Sequence, residues 1–436
     1  MNPEVVIASN RGPAANSSNQ IQGSGGLIQT LTAALKNRNA LWVAAKQASG
    51  ANNNFENFEV IFPEIDNSTY INAYNNICNL TLWFIHHHMI DSGLNMIYDE
   101  EFYSSWKSYQ DYNSAFAETI AQNAPINATV ILNDYHLCLV PHELNKRRQD
   151  LKIIHFSHTP FANPAIFSML PETIAIDILN GISKSRFAGF HVAKWSKNFL
   201  DCAKLFGVTP QNIFSFPVGI DPENLKHLKD SDTFKEKIQE IKAMSNEKTL
   251  MLRVDRLEPA KNILRGIVAF DMLLERNPTL QKEIFHLVLV NPSRENLAIY
   301  KKYKTKVVEL AKKIKQKWPE SFDFKIQDDL ETSAAAMAVA DILVVNPVRD
   351  GLNLVAKEAC YLNNNLILIL SKEAGAYDQL KNAAFGINPF DIKELSYVME
   401  SAIFLDPEER KKRSTQLKHL ACIPFAKQWL DHLLSL

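Results

Sequence analysis

Short runs of β-branched and aromatic residues alternate along this chain with longer segments whose apolar positions recur at helical spacing. Parallel sheets covered by helices produce that alternation, because a strand buried on both faces reads as a continuous apolar run while its crossover helix is apolar along one stripe. In the first half the pattern predicts strands at VVIAS (5–9), ATVIL (128–132), KIIHF (152–156), FAGFH (187–191) and NIFSFPV (212–218). In the second half it predicts TLMLRV (249–254), FHLVLV (285–290), DILVV (341–345) and LILIL (366–370). Two α/β domains follow. The polar stretch beginning GIDPENLKHL separates them, which places one domain at 1–222, a second at 223–420 and a C-terminal helix, 421–436, returning to the first.

Length supports the division, since 436 residues exceed what one hydrophobic core usually serves. A cleft between the domains is the first place to look for chemistry. Composition is that of a globular protein, 46% hydrophobic and 22% charged, and 47 Lys plus Arg against 48 Asp plus Glu leave no global field to gather nucleic acid or an anionic membrane. Any anion site must be local. Cys78, Cys138, Cys202, Cys360 and Cys422 are spread out with no C-x-x-C pair, so the pattern predicts buried thiols in a reducing compartment and neither a disulfide framework nor a zinc site. The N-terminus MNPEVVIASNRGP lacks a basic segment followed by a long apolar run, and the reading is a cytoplasmic protein with no membrane partner.

Several conspicuous stretches have plain structural readings. Asp230-Ser231-Asp232 has the spacing of metal-dependent sugar transferases, but it precedes a helix-like segment and reads as an N-cap. KKYKTKVVELAKKIKQKW (301–318) sets Val307, Leu310, Ala311, Ile314 and Trp318 on one stripe, leaving its lysines as a solvated face and not a nucleic-acid site. His86, His87 and His88 would point about 100° apart in a helix and cannot converge on one metal ion.

Other stretches suit an anionic, hydroxyl-bearing ligand. After the first strand, Arg11 precedes a flexible loop and then Gly25-Gly26, which open an amphipathic helix. Glycines there let a phosphate approach the free N–H groups, though a structural turn explains them equally. The spacing is not G-x-G-x-x-G, which argues against a dinucleotide enzyme. In RVDRLEPAKN, Arg256 and Lys261 stand just past a strand's carboxyl end, where open α/β sheets bind ligands; together they suit a diphosphate, and the alternative is a surface salt bridge. NPVRDGLNLVAKEAC then places Asp350 at the entrance of a helix starting near Gly351, with Glu358 about two turns in. Eight residues at 1.5 Å rise span roughly 12 Å, the order of the distance from a hexose across a pyrophosphate to a ribose. The alternative is a capped helix with a solvated Glu358, and the combination with Arg256 and Lys261 favours a nucleotide-sugar.

These motifs together resemble the retaining GT-B glycosyltransferases related to α,α-trehalose-phosphate synthase, family 20. The resemblance rests on SNRGP, GGL, YNN with LW, NDYHL, SHTPF, FPVGID, VDRLEPAKN, NPSR, RDGLNLVAKE, LSKEAGA and NPFD, in that order. It implies an α/β GT-B fold of two Rossmann-like domains facing a cleft, with the donor held mainly by the second and the acceptor mainly by the first. It implies that Arg256 and Lys261 bind the donor diphosphate, Asp350 the sugar hydroxyls and Glu358 the ribose, with Gly26 at the phosphates and backbone groups of Gly351, Leu352, Asn353 and Leu354 lining the site. His158 matches the histidine beside the transferred sugar, a positioning and electrostatic group more than a general base, and Asp134 an acceptor-side carboxylate. Arg11 and Arg294 match arginines that hold a sugar phosphate, with Tyr74, Trp83 and Trp42 as aromatic neighbours.

The implied reaction moves a hexosyl group from a UDP- or GDP-linked sugar to a phosphorylated sugar or polyol. The nucleotide-sugar is a co-substrate, and neither cofactor nor metal is expected. LEPAKN departs from the trehalose-synthase pattern, in which an aromatic precedes the lysine and glycine follows it. That segment and INPFD are closer to the validoxylamine-phosphate synthase branch, a pseudoglycosyltransferase branch that couples an activated cyclitol to an aminocyclitol phosphate, whereas RDGLNL is closer to the sugar-transferring branch. A non-catalytic nucleotide-sugar-binding protein and a homo-oligomer are left open.

Overall fold

The computed structural model describes residues 3–15, 21–22, 26–45, 55, 57–90 and 97–436, which form two compact units, one of residues 1–218 with 426–436 and one of residues 219–425. The expected boundary at 222/223 compares with an observed division at 218/219.

The first unit is built on a seven-stranded sheet in the order Phe58–Ile61, Ala40–Ala44, Val5–Ser9, Thr129–Asn133, Lys152–Ser157, Phe187–Phe190, Ile213–Ser215, parallel throughout. Val5–Ser9 is buried at every position, which explains why its run is apolar without alternation. The order reverses between Val5–Ser9 and Thr129–Asn133, so the loops leaving their carboxyl ends diverge and open a crevice. The last helix, Ala426–Ser435, packs in this unit: Trp429 is fully buried and meets the Phe156 ring edge-on at 5.1 Å.

The second unit carries a six-stranded parallel sheet in the order Phe322–Ile326, Ile284–Asn291, Thr249–Arg256, Ile342–Val345, Ile367–Ser371, Phe385–Ile387. In chain order this is 3-2-1-4-5-6, the Rossmann arrangement, with its reversal between Thr249–Arg256 and Ile342–Val345. Met251, Ile267, Phe270, Val288, Ile342 and Ile369 join one core, each such apolar burial contributing about 1.5–3 kcal/mol. The Ala298–Lys317 helix buries Val307, Ala311 and Ile314 there. Ser231 caps the Asp232–Ser245 helix, its Oγ accepting from the Phe234 N–H.

Where the second unit begins, a Cβ on Gly219 would lie 1.9 Å from the Pro424 carbonyl oxygen, so only glycine lets segment 219–220 bridge to Phe425 through Ile220. Among the described residues no helix is long and apolar enough to cross a membrane.

Candidate active site

In the second unit the reversal point gathers the predicted donor residues. Thr249–Arg256 ends in Asp255 and Arg256, and a short 3₁₀ turn, Pro259–Lys261, carries the lysine back over the strand end. Lys261 Nζ donates to Asp350 Oδ2 at 2.6 Å and lies 3.7 Å from Asp255 Oδ1. Burial disfavours its charge, yet Asp350 and Asp255 outweigh that and push the ammonium above its ordinary value. Beneath it Arg253, fully buried, pairs with Asp255 at 2.9 Å and donates to the Lys261 carbonyl and to Asn346 Oδ1. The salt-bridge alternative therefore describes part of the site, but Lys261 is not a surface residue.

Arg256 is the exposed cation, with 48% of its side chain accessible, and its Nη2 lies 2.9 Å from Glu258 Oε1. Glu258, 1% accessible, also takes Arg294 Nη1 at 3.2 Å and the Ser293 hydroxyl at 3.2 Å. Arg294 donates further to the Tyr300 hydroxyl at 2.9 Å. The two arginines assigned to different substrates thus meet on one carboxylate.

The stretch around Asp350 corrects the expected helix start. The helix spans Leu354–Leu362, and Asn353, at φ 84°, is its N-cap, accepting from the Ala356 N–H at 3.0 Å. Residues 350–353 are therefore not helical, and the eight-residue rise from Asp350 to Glu358 does not apply. Asp350 is instead fixed from the 371–376 segment: its N–H donates to the Glu373 carbonyl at 3.1 Å and its carbonyl accepts from Gly375 at 3.0 Å. Leu352 accepts from Ala376 in the same way. A Cβ on Gly375 would sit 2.0 Å from the Gly351 carbonyl oxygen, so glycine permits that approach. Asn353 Nδ2 joins Lys261 on Asp350 Oδ2 at 3.1 Å. Burial, with Asp221 adding negative charge, lifts the Glu358 carboxyl to about 7.

In the first unit the carboxyl ends of three adjacent strands lead into Arg11, Asp134 and His158. Asp134, at φ 72°, follows Thr129–Asn133, and its Oδ1 accepts from the His158 N–H at 3.2 Å, the Thr159 N–H at 3.1 Å and the Thr159 hydroxyl at 3.0 Å. Burial raises its carboxyl and the Thr159 bonds oppose the rise, with the net shift upward. His158 Nε2 lies 2.9 Å from Asn133 Oδ1, and Asn133 Nδ2 donates to the Ala8 carbonyl at 3.0 Å. That second bond turns the amide oxygen toward the imidazole, so Nε2 carries the proton and Nδ1 is the acceptor. Burial, then the neighbouring His191 and His155, hold His158 well below its usual value, and the ring is neutral near pH 7.

Arg11 is exposed and donates to the Tyr74 hydroxyl at 3.0 Å; Tyr74 stacks between Tyr70 and His136, with ring centroids 5.4 and 5.8 Å away. Tyr74 rides on a π-helix, Asn72–Leu82, an element that concentrates at functional sites. Gly26 is the exposed first residue of the Gly26–Ala34 helix, while Gly25 lies outside the described residues. Trp42 is corrected: it is 0% exposed inside Ala40–Ala44, and its Nε1 donates to Ser9 Oγ at 2.8 Å, which donates in turn to the Arg11 carbonyl at 2.7 Å. It supports Arg11 and presents no surface to an acceptor. Trp83 is also buried, stacked on His87 at 4.2 Å. The three adjacent histidines serve separate backbone groups: His86 accepts from Ala162, His88 accepts from Asn163, and His87 bonds the Trp83 carbonyl.

The residues missed from sequence are the hidden partners, Arg253, Asp255, Glu258, Asn133 and Thr159. Asp255 and Glu258 stand between the cations of RVDRLEPAK, and that alternation of sign was the available signal.

A sequence profile of glycosyltransferase family 20 matches residues 3–436. The glucosylglycerol-phosphate synthase of Synechocystis is 30% identical over 371 residues, covering 76% of this chain and 74% of that protein. A probable α,α-trehalose-phosphate synthase (UDP-forming) of Arabidopsis thaliana is 28% identical over 395 residues, covering 86% of this chain and 48% of its own length. The chain spans about half the length of several curated relatives it matches. Among solved structures, a UDP-forming α,α-trehalose-phosphate synthase of Burkholderia xenovorans in complex with glucose-6-phosphate superimposes with a TM-score of 0.88, at 22% identity over 99% of each chain.

Proposed function

Because this chain belongs to glycosyltransferase family 20, we propose that it transfers a hexosyl group from a nucleoside diphosphate sugar to a phosphorylated sugar or polyol, with retention at the anomeric carbon. The observation that carries the reading is the pair of cations, Arg256 and Lys261, at the carboxyl end of the strand where the second sheet reverses, with Asp350 bonded beside them. Relatives named as UDP-forming favour UDP as the leaving group, and relatives named for trehalose phosphate and glucosylglycerol phosphate favour an acceptor that carries phosphate.

In this scheme the diphosphate displaces Asp350 from Lys261 and meets the exposed part of Arg256, whose bond to Glu258 is kept, so charge growing on the leaving group meets cations already placed for it. Asp350, released from Lys261, takes the sugar hydroxyls and Glu358 takes the ribose. The leaving phosphate helps deprotonate the incoming hydroxyl on the same face, while His158, neutral, orients the sugar. Arg11, Tyr74 and Arg294 hold the acceptor phosphate. Buried Cys78, Cys138, Cys202 and Cys360 favour a reducing, cytoplasmic setting.

The PAKN turn supports a second reading, coupling of an activated cyclitol to an aminocyclitol phosphate, since Asn262 replaces the glycine of the sugar-transferring pattern. One assay separates the two. UDP-glucose and GDP-glucose are incubated with glucose 6-phosphate, glycerol 3-phosphate and an amine-bearing cyclitol phosphate, and nucleoside diphosphate release and product mass are followed. Release of UDP with a hydroxyl acceptor supports transfer to oxygen, preference for the amine supports the second reading, and inactivity across the panel rejects both.

A further inference from the structure

The ion pairs around Glu258 carry an inference that rests on the donor and acceptor roles proposed above. A carboxylate at 1% exposure requires compensation, and Glu258 takes Arg256 at 2.9 Å through Oε1 and Arg294 at 3.2 Å through Oε2. Its main chain is fixed on both sides: its N–H donates to the Arg256 carbonyl at 2.8 Å and its carbonyl accepts from the Lys261 N–H at 3.1 Å. Ser293, next to Arg294, adds its hydroxyl at 3.2 Å. Arg294, 11% accessible, shares the same Nη1 between Glu258 and the Tyr300 hydroxyl, whereas Arg256 has 48% of its side chain exposed. Each contact joins one guanidinium nitrogen to one carboxylate oxygen, and because the guanidinium is planar, fixing that nitrogen restricts the orientation of the whole group.

We propose that Glu258 is a positioning residue that aims both guanidinium groups, so that the donor diphosphate and the acceptor phosphate are placed in register from one buried carboxylate. It touches neither substrate; it acts through Arg256 toward one and through Arg294 toward the other. The glutamate side chain suits the task because its two oxygens are divided between the two arginines.

The test is a double-mutant cycle. The ratio of kcat/KM for glucose 6-phosphate to that for glucose, with UDP-glucose as donor, is measured in the wild type, Glu258→Gln, Arg294→Ala and the double variant. Where glucose turns over too slowly, the dissociation constant of glucose 6-phosphate from UDP-loaded protein replaces the ratio. Glu258→Gln is expected to weaken phosphate recognition roughly 10-fold when Arg294 is present and less than about 2-fold when it is not. UDP binding, by calorimetry, is expected to weaken in Glu258→Gln and to show no such dependence in an Arg256→Ala background. Should the glutamine variant not fold, Glu258→Asp, which keeps the charge but withdraws it by one methylene, is expected to give the same pattern. Equal losses with and without Arg294 and Arg256 overturn the inference and leave Glu258 a support of the fold, with the donor reading intact. A wild-type protein that binds neither UDP nor UDP-glucose defeats the donor reading itself, and the inference with it.

Discussion

Lys261 Nζ lies 2.6 Å from Asp350 Oδ2, a bond that ties the loop after the first strand of the second sheet to the loop after the fourth. The bond makes the two donor cations unequal in what they do for stability. Lys261 is largely enclosed between two carboxylates, so Lys261→Ala leaves Asp350 to Asn353 and Asp255 to Arg253, and is expected to cost about 3 kcal/mol, or roughly 10 °C in melting temperature. Arg256 is half exposed, and without it the buried Glu258 keeps Arg294 and the Ser293 hydroxyl, so the loss is about 1 kcal/mol. Arg256→Ala is therefore expected to melt within about 2 °C of the wild type while losing roughly 100-fold or more in kcat/KM for the donor. Paired melting curves and donor kinetics check this; a large melting shift in Arg256→Ala, or none in Lys261→Ala, contradicts the assignment of burial to function.

His158 is set up as a neutral imidazole, its Nε2–H spent on Asn133 and its protonation opposed first by burial. A general base would impose an ionisation on the rate near neutral pH. His158→Asn is expected to lower kcat by roughly 10–100-fold while leaving the shape of the kcat/KM profile between about pH 6 and 8 unchanged. An acid limb in that interval that the substitution abolishes would show a titrating base in its place.

The central strands were legible because burial on both faces writes an uninterrupted apolar run, as in VVIAS and FHLVLV. The strands Phe58–Ile61, Phe322–Ile326 and Phe385–Ile387 were not picked out: they are short or half exposed, so their composition differs little from that of loops. Ala40–Ala44 is buried throughout, but its Trp42 drew a reading as a ligand contact when it is core. The donor cations were readable because they stand just past the carboxyl end of a predicted strand, where open α/β sheets bind ligands. Their aiming groups were not, since Glu258 and Arg253 owe their role to neighbours brought in by the fold, such as Arg294 and Asn346. The start of the Leu354–Leu362 helix was misplaced for a local reason: a left-handed Asn353 is rare, and sequence favoured the glycine two residues earlier as the punctuation.

Glu358 gives a pH-dependent stability whose sign is fixed by its raised carboxyl. The group titrates near its ordinary value of 4.5 when unfolded and at about 7 when folded. Between those values the native state holds more protons, so stability is full at the acid end and declines as pH rises through 7. Glu358→Gln removes the cost of an ionised carboxylate and is expected to stabilise the ligand-free protein at pH 8, relative to its effect at pH 5, on the order of 1–3 kcal/mol. Urea midpoints of both proteins at the two pH values measure the difference; an identical effect at both values contradicts the shift.

Asn262 tests whether the lysine turn is built for its place. The residue sits at φ 61° with its side chain buried, donating from Nδ2 to the Asn346 carbonyl at 2.9 Å and the Pro389 carbonyl at 2.7 Å and accepting from Arg265 at 2.8 Å. Glycine would adopt that backbone angle without strain but would leave two carbonyl groups short of a donor, at about 1–3 kcal/mol each as an upper bound. Alanine would add the left-handed penalty, about 1 kcal/mol, partly offset by its smaller loss of chain entropy. The expected order of stability is wild type, then Asn262→Gly, then Asn262→Ala, with the glycine variant also raising the donor KM several-fold as the Lys261 turn loosens, because Lys261 immediately precedes the clamp. Melting curves rank the three proteins and donor titrations read the turn. An alanine variant as stable as the glycine variant would mean that the backbone at this position does not hold the left-handed angle on which the placement of Lys261 depends.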